Sequence, residues 1–422
     1  MTTLTTAVRS SLTVNRRMLA AATYILFGLA NIFLFGLHSH GNATFSFALF
    51  GAKVGVPNLV VPAAPVCYAL GVVCIAIGVL RAAMPLDRAA NRVCIAGAVF
   101  CFVVALLCWA DAGNSTALSV INLLQGTLVY SIPLILGALA GVMCERSGVI
   151  NIAIEGQLLV GAFAAAVIAS AFGSLWLGLI TGSLAGGLLG GVLAVFAIKF
   201  LVDQIVLGVV LNVFASGLTG YLYDRVLVPY QNRLNSPQTF SAIKIPLLGD
   251  IPILGPVLFD STIFLYITYA MIAIVQVGLF RTRWGLRVRA VGEHPAAADT
   301  VGINVLWTRY RNVILGGLIA GIGGAFLTIG QVGSFGKDMS SGQGYIALAA
   351  MIFGRWTPLG ATAAALLFGF ATSLQSILGT LNVPIPSNIL LMAPYVVTIV
   401  AVAGLVGKVR APKADGQPYV KA

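Results

Sequence analysis

Glu155 stands inside an apolar run from about residue 149 to 170, the only acid that the hydropathy pattern places within such a run. An ionisable group at membrane depth costs several kcal/mol unless it is paired, neutral or hydrated. Asn151 and Gln157 lie close by and can share one polar pocket with it. Two readings of the carboxylate stay open. It serves a pathway or a conformational change near a broken helix, or it sits within two turns of a helix start and is satisfied by backbone N–H groups exposed there. Asn122, Gln125, Tyr130, Gln204, Asn212, Gln331, Gln375 and Asn388 also interrupt apolar runs. Each suits an interhelical hydrogen bond as well as a contact to a polar solute. Pro133 and Pro394 fall within runs too, where a proline frees a backbone carbonyl and favours a broken helix lining a cavity.

Other chemistry finds no constellation. His38, His40 and His294 have no partner set that would hold a metal, so no metal site is expected. Cys67 and Cys74 are seven apart, as are Cys94, Cys101 and Cys108. That spacing puts them on single helix faces as small packing residues, with Cys144 at the end of a further run. The phosphate-cradling pattern GxxxxGK[ST] is absent. Its nearest approach, GQVGSFGKD, has the wrong spacing and carries Asp338 in place of the hydroxyl residue. A membrane-embedded enzyme therefore lacks an acid–base or metal set.

The elements that position these residues follow from composition. Of 422 residues, 59% are hydrophobic and 9% charged, against about 25% charged in soluble domains. So few charges cannot cover a water-facing surface, and the chain reads as an all-α polytopic membrane protein. A span needs roughly 20 apolar residues. Twelve runs qualify, with 10–12 spans expected: 17–37, 59–80, 92–110, 119–143, 149–170, 174–198, 204–223, 262–280, 313–332, 339–354, 357–380 and 388–407. The first is long enough to span and is read as a retained helix. The tenth is short and edged by glycine, which also fits a re-entrant segment.

The net charge of +12 raises nucleic acid as a partner, but the arginines punctuate apolar runs instead of forming one soluble patch. With both termini on the cytoplasmic side, 19 of the 24 Lys and Arg residues fall in loops of that face and five in loops of the other. This is the asymmetry that orients membrane helices, and it points to a lipid bilayer and no nucleic acid. A proline-rich stretch, 224–261, then faces outward as an ordered but irregular segment, and 281–312 forms a basic cytoplasmic loop ahead of the basic tail 408–422. Gly178, Gly182, Gly186 and Gly190, spaced by four, make a flat ridge for close helix packing, either inside the chain or against another subunit. GVINIA from Gly148 is echoed by GYIALA from Gly344, as in transporters built from repeats.

The loop sequence RTRWGLRVRAVGEHPAAADTVGINV places Pro295 at the first position of a short helix ending near Val301, with Gly302 beyond it. A helix of this kind docks into a groove on a soluble partner, or is simply a solvated basic loop. The spacing of Ala296, Ala297 and Ala298 from Gly302 resembles the coupling segment of ATP-binding-cassette (ABC) importer permeases, although Ala296 stands where their pattern has an acid. ERSGVINIAIEGQLLVGAFAA, from Glu145 to Ala165, and GYIALAAMIFGRWTPLGA, from Gly344 to Ala361, are similar to permeases of the ribose, branched-chain amino acid and nucleoside branch, most of all its sugar and nucleoside members.

That resemblance covers about 119–407 and leaves 1–118, about three helices, as an addition. It implies a bacterial inner-membrane permease subunit for a small polar solute, nucleosides first and sugars next. It implies no cofactor in this chain, with ATP and Mg used by a separate ATP-binding subunit. It further implies a second permease, homologous or identical, and an extracytoplasmic substrate-binding lipoprotein. Arg283, Gly285, Arg287, Glu293, Pro295, Ala296, Ala297, Ala298, Asp299 and Gly302 would meet the ATPase. Asn122, Gln125, Asn151, Glu155, Gln157, Gln204, Asn212, Gln331 and Asn388 are the pathway candidates, since amides suit a solute with hydroxyls and ring nitrogens. The alternative is an ion-coupled transporter working without an ATPase, for which Glu155 would have to serve as the ion site.

Overall fold

The computed structural model describes residues 17–47, 57–84, 87–114, 117–381 and 410–421, together with 383, 386, 389, 390 and 392. Two compact units divide the chain, Met1–Asn122 with Ile377–Ile385 and Leu123–Ser376 with Pro386–Ala422.

In the first unit, helices α1 (Arg17–Gly36), α2 (Ala63–Ala83) and α3 (Arg88–Asp111) are joined by a small sheet. Strand β1 (Asn42–Ser46) runs antiparallel to β2 (Leu59–Pro62) and parallel to β3 (Leu118–Ser119). The cysteine stripes do what their spacing predicts. Cys67 and Cys74 are buried and donate to the carbonyls of Ala105 and Ala98 at 3.4 and 3.6 Å, tying α2 to α3. All six cysteines are free.

The second unit begins with α4 (Val120–Glu145) and α5 (Ile154–Phe172). It continues through α6 (Leu175–Lys199) and α7 (Gln204–Leu227). The 224–261 segment is ordered and irregular, as its prolines predict. It holds the short helices α8 (Gln231–Leu234) and α9 (Leu254–Phe259) and the two-stranded pair β4 (Ile243–Lys244) and β5 (Asp260–Ser261). Then follow α10 (Ile263–Arg281), α11 (Arg283–Glu293), α12 (Pro295–Thr300), α13 (Val305–Val332), α14 (Gln343–Phe353) and α15 (Pro358–Thr380).

Among the described residues ten helices are long and apolar enough to cross a membrane: α1 to α7, α10, α13 and α15. The expected tenth span is corrected. Its apolar part is the eleven-residue α14, which reaches only about half of a 30 Å hydrocarbon core at 1.5 Å per residue. The expected twelfth span, 388–407, with Asn388 and Pro394, lies outside the described residues. Pro133 does not break its helix, since α4 runs through it.

The glycine ridge packs internally. A Cβ on Gly186 would lie 2.5 Å from the Gly317 carbonyl oxygen, and one on Gly182 would lie 2.8 Å from that of Gly161. From the facing side, a Cβ on Gly321 would meet the Gly182 oxygen at 2.3 Å and one on Gly324 the Leu158 oxygen at 2.0 Å. Helices α5, α6 and α13 thus touch backbone to backbone, which only glycine permits. The internal echo is not a structural repeat: 148–153 is a non-helical link, while 344–349 is helical.

Two charge placements also change. Glu155 is not the only acid in a spanning helix, because α3 and α4 end on buried Asp111 and Glu145. Arg309, expected in a solvated loop, lies on the second turn of α13 and is 2% exposed.

Candidate functional site

The link between α4 and α5 positions Glu155. Gly148, at φ +88°, ends α4. The N–H of Val149 bonds back to the Cys144 carbonyl and that of Gly148 to Glu145, the pairing of a Schellman stop. The backbone beyond it is carried by side chains, as a polar chain out of water requires. Gln204 Oε1 accepts from the Ile150 N–H at 2.8 Å. Asn212 accepts from the Gly156 N–H at 2.8 Å and donates to the Ile152 carbonyl at 2.9 Å. Asn151 and Gln157 bond to each other at 3.1 Å, and Asn151 also donates to Cys144 Sγ. Three of the pathway candidates, Asn151, Gln157 and Gln204, are buried and occupied with this link.

Glu155 lies on the first turn of α5, yet it is not held by that helix's own N–H groups. Its carboxylate spans the start of α14. Oε1 accepts from the Ser340 hydroxyl at 2.6 Å and the Gly342 N–H at 2.8 Å, and Oε2 accepts from the Gly344 N–H at 2.6 Å. A negative charge facing a helix N-terminus is stabilised by the peptide dipoles and by N–H groups that have no partner within the helix. The approach needs glycine, because a Cβ at Gly344 would stand 2.5 Å from the backbone of Glu155. The preceding turn is conformationally unusual, with Asp338, Ser341 and Gly342 at φ +48°, +46° and +81°.

Beside this contact is a cavity of about 410 Å³, with Glu155, Asn212, Ser216, Asp338, Ser340 and Tyr345 among its walls. Ser216 donates to Asp338 at 2.5 Å, and Asn212 reaches the Tyr345 hydroxyl at 3.1 Å. Its size is that of a small-molecule site. Its rim carries carboxylates, hydroxyls and one amide, a set suited to a neutral solute rich in hydroxyls. A second space of about 250 Å³ is lined by Gln331, Ser334, Met339 and Gln343 among others.

The pathway candidates therefore separate. Glu155 and Asn212 line the larger cavity and Gln331 the smaller. Gln125 instead donates to the Pro256 carbonyl at 2.8 Å and anchors the 224–261 segment. Asn122 is exposed in the first unit. Asp338, Ser216, Ser340 and Tyr345 were missed. Asp338 drew notice only as a misfit in a phosphate-binding pattern, and nothing in the spacing brings 338–345 to Glu155.

The loop expected over 281–312 is largely helical. Thr282 caps α11 by accepting from the Gly285 N–H at 3.1 Å, and Pro295 opens α12 as its type predicts. Gly302 is left-handed at φ +84°, and its N–H donates to the Asp299 carbonyl. Gly285, Val288, Val291 and Ala298 face inward, whereas Arg283, Arg287, Ala296, Ala297 and Gly302 are exposed. Glu293, Pro295 and Asp299 are partly buried. Arg146 and Arg289 both stack on the Phe280 ring, at 5.6 and 5.1 Å from its centre.

The family model described as branched-chain amino acid transport system, permease component, matches residues 123–405. The chain is 45% identical to the guanosine ABC transporter permease protein NupQ of Bacillus subtilis over 72% of this chain and 97% of that one. It is 42% identical to the nucleoside ABC transporter permease protein NupC of Lactococcus lactis, over 72% of this chain and 99% of that one. A putative glucose ABC transporter permease protein of Haloferax volcanii, TsgC13, is 33% identical over 60% and 76%. No solved structure matches the chain. With the family's match running from the first turn of α4 through both cavities and the α11–α12 segment, the chain belongs to the branched-chain amino acid transport system permease family.

Proposed function

We propose that this chain is the membrane permease subunit of an ABC importer for nucleosides. The near full-length likeness to two nucleoside permeases carries the reading. The cavity of about 410 Å³ beside Glu155, with its hydroxyl, amide and carboxylate rim, supports it by offering partners for ribose hydroxyls. Residues 123–405 form the permease core, and the helices before it are an addition. Both termini and the α11–α12 segment lie on the cytoplasmic side of the bacterial inner membrane, and 224–261 lies outside. The exposed face formed by Arg283, Arg287, Ala296, Ala297 and Gly302 meets an ATP-binding subunit, which hydrolyses ATP with Mg. A second permease and an extracytoplasmic binding lipoprotein complete the transporter.

An ion-coupled mechanism draws less support, because the Glu155 carboxylate is engaged by one hydroxyl and two backbone N–H groups instead of facing an ion alone. The test is uptake of radiolabelled guanosine by a strain lacking the chain and the same strain complemented with it. Restored uptake that other nucleosides compete for and that depends on ATP is expected. Uptake driven by an ion gradient with ATP depleted would sink the proposal.

A further inference from the structure

The C-terminal segment 410–421 reads in sequence as a solvated basic tail, yet it lies wedged between α11 and the α4–α5 link. The Ala414 N–H donates to the Gly292 carbonyl at the end of α11, at 2.9 Å. On the other side, a Cβ at Gly148 would stand 3.1 Å from the Ala414 carbonyl oxygen, and one at Gly416 would stand 2.6 Å from the Ile150 side chain. Tyr419 donates to Asp299 Oδ2 at 2.9 Å and packs on Val291, Ala298 and Val305. Pro412 and Ala414 are buried.

Beneath the tail is a cluster of charges. Arg309 Nη1 donates to the Gln417 carbonyl at 2.9 Å. The Trp356 indole donates to Glu145 at 2.5 Å, and the Asp415 carboxyl lies beside Glu145 and the Arg309 guanidinium. Two neighbouring carboxyls resist ionising together, and the opposite charge of Arg309 offsets the one that does. Arg309 Nε, Arg309 Nη2 and Asp415 Oδ1 are buried without hydrogen-bond partners, so charge balance supplies what direct pairing does not.

We infer that segment 410–421 is a positioning strap, which joins the end of α11 to the 146–153 link so that displacement of the α11–α12 segment reaches the Glu155 cavity. The path is continuous: Gly292 to Ala414, the tail to Gly148 and Ile150, Ile150 to Gln204, and Ile152 through Asn212 to Tyr345 and Gly156. The strap rests on the reading above that α11–α12 meets an ATPase.

The test compares the whole transporter, reconstituted in proteoliposomes, with five variants: a chain lacking 410–421, Asp415→Asn, Glu145→Gln, both substitutions together, and Tyr419→Phe. Copurification of the ATPase, ATP hydrolysis and guanosine uptake are read in parallel. The single and double substitutions leave the strap's backbone contacts and the Tyr419 contact in place, and uptake per ATP stays within about twofold. The truncation keeps the ATPase bound and hydrolysing, while uptake per ATP falls about tenfold, within the range by which coupling networks act. Tyr419→Phe removes only the bond to Asp299 and guards against simple misfolding, with a fall of about twofold. Unchanged uptake per ATP in the truncated chain overturns the strap. Loss of the ATPase from the truncated complex alone overturns it too, by making the tail a docking surface. An ATPase that fails to bind the complete chain overturns the underlying reading instead.

Discussion

The crossing of α6 and α13 and the wall of the Glu155 cavity are built on opposite terms. At the crossing, glycines at 182, 186, 317 and 321 bring backbones into direct contact, leaving no side chain to rearrange. At the cavity, a carboxylate, hydroxyls, an amide and a turn with three left-handed residues share a handful of hydrogen bonds. Close-packed contacts of the first kind have one good arrangement and resist deformation. Polar contacts of the second kind can be exchanged for others, to solute or water, at small net cost. The difference teaches what each region is suited to in this chain: α5, α6 and α13 make a close-packed frame, and the start of α14 with its preceding turn is held by contacts that can be exchanged.

The sharpest way to break this comparison is Gly321→Val, since its Cβ would meet two α6 carbonyl oxygens at 2.3 and 2.8 Å. Overpacking typically costs about 1–3 kcal/mol, and more where backbone cannot move, so the purified chain should unfold or aggregate, as read by thermal unfolding and gel filtration. Gly217→Ala, on α7 with nothing within 4 Å of the added Cβ, should leave stability unchanged or raise it by up to ~1 kcal/mol. Equal damage from both would remove the distinction between frame and cavity.

Glu155→Gln comes next. An amide presents one acceptor where three donors converge, and turns its own N–H groups towards backbone N–H. Losing hydrogen bonds to a charged group costs roughly 1.5–3 kcal/mol, so uptake should fall about tenfold or more while the purified chain stays monodisperse. Normal uptake in this variant would make the carboxylate a mere structural cap.

A pH series sharpens the comparison, because the α6–α13 crossing contains no titratable group, whereas the tail does. Burial pushes the Asp415 carboxyl up to about 6, with the Arg309 charge pulling the other way. A carboxyl raised on docking favours the docked tail fully below its ordinary value near 3.8. That contribution is lost as pH rises through about 6. Glu145, Cys144 and Arg309 interact with Asp415, Tyr419 and Asp299 pair farther along the tail, and Arg410, Lys413 and Lys421 belong to the tail itself. Hydrogen exchange in 410–421 should therefore be slower at pH 5 than at pH 8 after correction for intrinsic rates, with Asp415→Asn flattening the profile and the glycine crossing unaffected. The smallest effect belongs to Lys337→Met. Its ion pair with Asp224, at 2.6 Å, leaves both side chains about half exposed, so less than about 1 kcal/mol should be lost in thermal unfolding.

Much of this architecture was legible beforehand. Among the described residues, ten of the twelve apolar runs became helices long and apolar enough to cross a membrane, because a run of that length and composition has one stable setting in a bilayer. Spacing of four disclosed the glycine ridge, and spacing of seven the cysteine packing, because both match the helical period. Pro295 and Gly302 bounded a short helix through local backbone preference alone. What depends on partners distant in sequence was decided only by the tertiary structure. Glu155 is satisfied by residues 340–344, nearly two hundred positions away. Asn151 and Gln157 hydrogen-bond to each other, and Gln204 to the α4–α5 link, through partners that their own spacing does not announce. Arg309, Glu145 and Asp415, each assigned to solvent by its loop, came together under a tail whose composition announced only positive charge. Hydropathy and periodicity report how one segment meets its surroundings; which buried polar group answers which is set by the packing of helices against one another, and no local pattern encodes it.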